Sequence, residues 1–173
     1  MAKNPSVLLM ILDKFLNLQG TCIQGYRHLE NIGIVFQIES KNKKAVCPRC
    51  GLESDKLHQN HRHLVKDLPI SGQPVYLQVN RRQFKGDNCQ KPFSEELDFV
   101  AKKRTYTKRL AENILEQLKA GDILNVSRRN DVTEEEIQRM IEDIAEEITE
   151  TDLSKLKRLG IDEIALVKEK KNY

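Results

Sequence analysis

Cys47-Pro48-Arg49-Cys50-Gly51 restricts this chain more than any other feature it carries. Two thiolates two residues apart on a tight turn can face one tetrahedral Zn²⁺, and the glycine that follows permits a close backbone approach. A closed structural site takes four ligands, so a second pair is required from a distant turn. The matching stretch is Phe84-Lys85-Gly86-Asp87-Asn88-Cys89, which has glycine at 86 where a second C-x-x-C needs cysteine. The candidate zinc ligands are therefore Cys47, Cys50 and Cys89, with Gly86 at the fourth position. His58, His61 and His63 could supply a fourth donor, although side chains alternating along a strand point away from such a site unless the strand is distorted. Weak three-ligand binding and loss of zinc are the alternatives. Cys22 lies outside the pattern and reads as a buried or idle thiol.

The region around these cysteines needs a staple. Ile32, Ile34, Phe36 and Ile38 alternate with other residues in the manner of a strand with one buried face, and Val75, Leu77 and Val79 repeat the pattern before Arg81-Arg82. Between them run a polar strand-like stretch through Leu57, His61, Leu64 and Leu68 and a turn at Pro69 and Ser71-Gly72-Gln73. Only 39% of the 173 residues are hydrophobic and 5% aromatic, with no tryptophan. A unit over 30–100 so poor in large apolar side chains calls for a metal or disulfide. The longest apolar run, Val7 to Leu12, has six residues, against the ~20 that span a bilayer. Asp13 and Lys14 end it with no cleavage site behind them, so the reading is a cytoplasmic protein without membrane contact, in which cysteines serve metals rather than disulfides. Val7 to Leu18 itself suits a short helix.

Past residue 107 the period changes. Leu110, Ile114 and Leu118 recur every four residues, and Gly121 sits where a helix C-cap belongs. Ile123 to Asn130 suits a second short helix. Thr133-Glu134-Glu135-Glu136 is a capping box opening a third, whose stripe is Ile137, Ile141, Ile144 and Ile148. That is the outline of a helix-turn-helix, and a plain helical hairpin fits the same pattern.

Charge is distributed unevenly. Residues 1–40 carry three basic and three acidic side chains, residues 41–109 carry sixteen and seven, and residues 110–173 carry ten and sixteen. A middle segment of net charge +9 suits a polyanion such as double-stranded DNA, because Lys and Arg on phosphates release counterions. Arg81, Arg82, Lys85, Lys102, Lys103, Arg104, Lys108 and Arg109 are the candidate phosphate contacts. The third helix opposes this: residues 134–152 hold nine acidic side chains and one arginine. Only Arg128, Arg129, Gln138 and Arg139 suit DNA in the helical region, which could instead pack or self-associate through its isoleucines.

Three segments taken together, CPRCG at 47–51, KDLPISGQPVYLQVNRRQF at 66–84 and CQKPFSEEL at 89–97, resemble the zinc-binding region of insertion-sequence transposases of the ISL-three family. The helical segment 107–150 falls where that family carries its helix-turn-helix, and Leu159 to Leu166 resembles the opening of its RNase-H-like catalytic domain. The resemblance covers roughly Met10 to Tyr173. It implies a target in terminal inverted repeats. It also implies that Asp162 is the first of three carboxylates that hold Mg²⁺ in a complete DDE-type transposase. Two-metal phosphoryl transfer needs carboxylates from several strands, and the sequence stops eleven residues after Asp162, so the expectation is a truncated, catalytically incompetent DNA-binding portion. Its expected class is α+β: an N-terminal helix and strand over 1–40, a zinc-ribbon-like unit over 41–100, a helix-turn-helix region over 101–152, and a catalytic stub over 153–173. A zinc-ribbon protein-interaction adaptor with an acidic helical arm is the alternative.

Overall fold

The computed structural model describes residues 6–101 and 103–150 and is mixed α+β. The expected RNase-H-like stub, with Asp162, lies outside the described residues, as does Lys102. Helix α1 (Val7–Leu16) opens on the Ser6 side chain, which accepts from the Leu9 amide, and closes on Asn17 in the left-handed region. Strands β1 (Thr21–Leu29) and β2 (Gly33–Ser40) form an antiparallel pair. A short hairpin follows, β3 (Ala45–Val46) and β4 (Glu53–Ser54). Two long strands, β5 (Leu57–Ile70) and β6 (Gln73–Lys85), then pair along their whole length, and β7 (Pro92–Ser94) returns on the end of β6.

Ser71 and Gly72 both take positive φ, 52° and 75°. That is the two-residue turn whose twist matches the flanking strands, and it fixes the Ile70–Gln73 register of the β5–β6 hairpin. The sheet order is β1-β2-β6-β5, and β2 runs parallel to β6 over Ile34–Ile38 and Val75–Val79. Gly33 is required at the start of β2. Its φ is 125°, and a Cβ there would stand 2.2 Å from the Pro74 carbonyl oxygen. The boundary expected at residue 40 is therefore not a boundary in the fold, since β2 and β6 share one sheet. Strand β1 has no alternation because a bulge between Ile23 and Gly25 shifts its period, so sequence pattern does not reveal it.

Three cores result. Leu16, Ile23, Phe36, Ile38, Val65, Val75, Leu77 and Val79 join α1 to one face of the sheet. Burying each such side chain is worth about 1.5–3 kcal/mol. Phe84, Phe93 and Cys47 form a small second core. The third lies among α2 (Lys108–Leu118), α3 (Ile123–Asn130) and α4 (Glu134–Glu150), where Leu110, Ile114, Val126, Ile137 and Met140 are buried with Tyr106. Thr107, Asp122 and Thr133 cap the three helices. Both capping-box bonds form: the Thr133 amide donates to Glu136 at 3.0 Å and the Glu136 amide to Thr133 Oγ1 at 3.1 Å. Gly121 is not the left-handed C-cap that the sequence suggests. Helix α2 ends through Lys119 in right-handed backbone, and at Gly121 a Cβ would stand 3.3 Å from the Gln117 carbonyl. Along the isoleucine stripe of α4, Ile137 is fully buried and Ile141 and Ile144 are partly buried against this core.

Helices and sheet are joined by a polar seam. The Lys66 amide donates to Thr105 O and the Thr107 amide to Lys66 O, at 2.7 and 2.9 Å. The Asp67 carboxylate, 1% exposed, accepts from Thr107 Oγ1 and Arg109 Nε, both at 2.8 Å. Arg109 also donates to the Leu16 carbonyl at 2.6 Å, so one guanidinium ties the end of α1, strand β5 and the start of α2.

Candidate metal centre and nucleic-acid interface

Two turns meet where the β5–β6 hairpin ends, one between β3 and β4 and the other between β6 and β7. Their backbones follow the same path. In the first, the Cys47 amide donates to Leu52 O and the Gly51 amide to Cys47 O, each at 2.9 Å; in the second, the Gly86 amide donates to Lys91 O at 3.0 Å and the Gln90 amide to Gly86 O at 2.9 Å. Gly51 and Gln90 both take positive φ, 70° and 55°. Gly86 stands where Cys47 stands, and Cys89 stands where Cys50 does.

The thiols of Cys47, Cys50 and Cys89 lie within 4.8 Å of one another, over Phe84 and Phe93. Ser54 Oγ donates to Lys85 O at 2.6 Å and fastens the first turn to the second. The Leu52 amide, hydrogen-bonded to Cys50, brings that thiol down to about 7. The Lys91 amide pulls Cys89 the same way, but burial and the neighbouring thiols outweigh it and leave Cys89 raised. Soft, converging sulfur donors of this kind suit zinc. A Cβ on Gly86 would stand 2.6 Å from Cys89 Sγ and 3.1 Å from Cys47 Sγ, so position 86 borders the cluster but brings no donor. Among the described residues no histidine joins the group: His58, His61 and His63 lie exposed along β5.

The arginines divide into two sets. Arg82 is held by the buried Glu95 carboxylate, with the closest contact 2.7 Å. Arg104 pairs with Asp143, which also accepts from Tyr106 at 2.9 Å. Arg109 pairs with Asp67. These three differ from the sequence expectation of free phosphate contacts, because a guanidinium shared with a partly or wholly buried carboxylate has its charge matched and its donors engaged. The Arg104 guanidinium holds Asp143 below the usual carboxylate range, and burial with the Asp143 bond pushes the Tyr106 hydroxyl up. Arg81 is half-buried and donates to the Glu95 carbonyl at 3.1 Å. Lys85, Lys103, Lys108, Arg128, Arg129, Gln138 and Arg139 are exposed. Sequence reasoning missed the anchoring carboxylates, although one signal was present: Asp67 shares strand parity with the buried Val65.

Helix α4 follows α3 through a short turn and so takes the third-helix position, but its first turn carries Glu134, Glu135 and Glu136. Acidic side chains there complement the helix dipole. The first-turn backbone and the Thr133 hydroxyl hold Glu135 below the usual carboxylate value. The same charge repels phosphate. Gln138 turns along the helix to Glu142, at 3.3 Å.

Comparison with known proteins agrees with this arrangement. Residues 43–89 match the zinc-finger of transposase IS204/IS1001/IS1096/IS1165, and residues 95–145 match the helix-turn-helix domain of transposase family ISL3. A transposase for insertion sequence element IS1001 from Bordetella parapertussis is 28% identical over 127 residues, which cover 73% of this chain and 31% of that protein. No solved structure matches. A cysteine-bearing ribbon followed by three capped helices, matched by two successive domain models of one family, identifies the chain as belonging to the ISL3 transposase family through the zinc-finger and helix-turn-helix region.

Proposed function

We propose that this chain is the DNA-binding part of an insertion-sequence transposase, directed to the terminal inverted repeats of its element. The observation that carries the reading is the convergence of Cys47, Cys50 and Cys89 beneath a basic ribbon joined by a buried seam to the helical unit. Cys47, Cys50 and Cys89 would hold zinc, whose part is to fix the two turns together. With Arg82, Arg104 and Arg109 engaged internally, phosphate contact falls to Lys85, Lys103, Lys108, Arg128 and Arg129. The acidic opening of α4 favours docking through the ribbon and α3 over entry of α4 by its N-terminus. That acidic face is also the one observation favouring the adaptor reading. Catalytic competence would require the carboxylates of a complete catalytic domain.

A salt titration on a 40-bp duplex separates the two readings. Affinity should fall linearly in log salt, with a slope of about −0.9 per phosphate neutralised. Replacing Arg128 and Arg129 together by Ala should flatten that slope by up to about two units on any sequence. Absence of salt-dependent binding at low ionic strength by the zinc-loaded chain contradicts the proposal and leaves the adaptor.

A further inference from the structure

Between the last residue of β6 that pairs with β2, Val79, and the first that pairs with β7, Gln83, the strand ladder of β6 continues only with β5, while Glu95 bonds the Arg82 backbone from the other side and accepts from the Arg81 side chain. At Asn80 and Arg81 the ladder is two-stranded, with Arg62 opposite Asn80 and His61 opposite Arg81, and Asn60 lies opposite Arg82. Strand β5 is the sheet edge, and every residue from Leu57 to Leu64 is exposed on whichever face it lies. Within that run His58-Gln59-Asn60-His61-Arg62-His63 is six consecutive hydrogen-bonding side chains.

Residues of this kind are poor at holding a strand together by packing. An edge guarded only against aggregation is served by any charges, commonly Lys or Glu. This hairpin instead excludes one sign: from Leu57 to Lys85 Asp67 is its only acidic residue, and it is buried against Arg109. On one face Asn60, Arg62, Gln78 and Asn80 line a cleft of about 290 Å³ with Gln24, Gln37, Ile38 and one carboxylate from β2, Glu39, which accepts from Asn80 Nδ2 at 3.3 Å. On the other, Gln59 and Gln83 bond across the strands at 2.6 Å beside His61 and His63. A ribbon of two strands fits the ~12 Å major groove, where Asn and Gln complement adenine and Arg complements guanine.

We propose that the two-stranded stretch around Asn60–Arg62 and Asn80–Arg81 enters the major groove of duplex DNA and reads base edges, as a sequence-reading element separate from the helix-turn-helix. The inference rests on the DNA-binding reading above and adds a second contact surface to it. It accounts for the site of uptake of sequence information when α4 opens on three glutamates. The ribbon takes one block of bases and leaves a second to the helix-turn-helix, while the exposed lysines and Arg128-Arg129 take the phosphates.

Selection from a random 30-bp duplex pool tests it, using the whole zinc-loaded chain and the Arg62→Ala/Asn80→Ala double variant, with matching thermal melts as the folding control. The wild-type chain should select a motif of two blocks. The double variant should lose one block, with affinity for the selected sequence down roughly tenfold to a hundredfold and affinity for an unrelated duplex nearly unchanged. Methylation of guanine N7 in the wild-type motif needs no variant and should block binding in both blocks. An unchanged motif in the double variant overturns the inference while the DNA-binding reading stands, as does duplex binding by the wild type without any motif. Failure of the wild-type chain to bind duplex at all removes both.

Discussion

Gly86 is the residue on which the metal centre turns. The second turn retains the hydrogen bonds and the positive-φ residue of a cysteine knuckle, but lacks its first thiol. Gly86→Cys should therefore complete a four-thiolate site. Without metal the new Cβ crowds Cys89 Sγ, so the apo variant should melt at or below the wild type. With one equivalent of Zn²⁺ it should rise above the wild type by about 5–10 °C, since a closed site contributes folding free energy directly and each kcal/mol moves Tm by about 2–4 °C at this size. Gly86→Ala, which adds the crowding without the donor, should lose stability with or without zinc. Equal zinc affinity in wild type and Gly86→Cys, measured by competition with a chelator, would show that a donor other than residue 86 already closes the site. The three thiols were legible from spacing alone. That no histidine joins them among the described residues was not, because it depends on where β5 runs.

At the scale of elements, local chemistry was the most readable. The Thr133–Glu136 box, the α3 limits and the alternation of β2 and β6 follow from neighbouring residues and appear as expected. Thr133→Ala removes a side-chain acceptor from the α4 terminus and should cost about 1 kcal/mol in urea unfolding. Helix α4 is further tied down by Asp143, held by Arg104 and Tyr106. Its folded pKa lies below the unfolded one, so this stabilisation is present above the unfolded value and is lost as pH falls through the folded value. The acid limb of stability below about pH 4 should therefore flatten in Asp143→Asn. That variant should also be less stable at neutral pH by about 1–3 kcal/mol. A pH–stability curve parallel to that of the wild type would contradict the assignment.

Across the whole molecule, the Arg109 guanidinium is the charged centre of the seam that joins sheet and helices. In the sequence Arg109 belongs to a basic run and looks like a phosphate contact; its partner Asp67 lies 42 residues earlier, and no local pattern joins them. Long-range pairing of this kind is what composition and periodicity cannot deliver, and the sharing of one sheet by β2 and β6 escaped for the same reason. Arg109→Ala should cost about 3–5 kcal/mol, because it leaves the buried Asp67 carboxylate without its cation. Arg109→Lys should recover only part, having one ammonium in place of a two-pronged guanidinium. The basic residues thus divide into those that hold the fold and those proposed to meet DNA. Lysine-modification footprinting of the zinc-loaded chain, read by mass spectrometry with and without a bound 40-bp duplex, tests that division most directly. Protection of Lys85, Lys103 and Lys108, with Lys66 slow to react in both states because Asp131 holds its amine, is the predicted result; saturating duplex that leaves all three as reactive as in the free chain would contradict it.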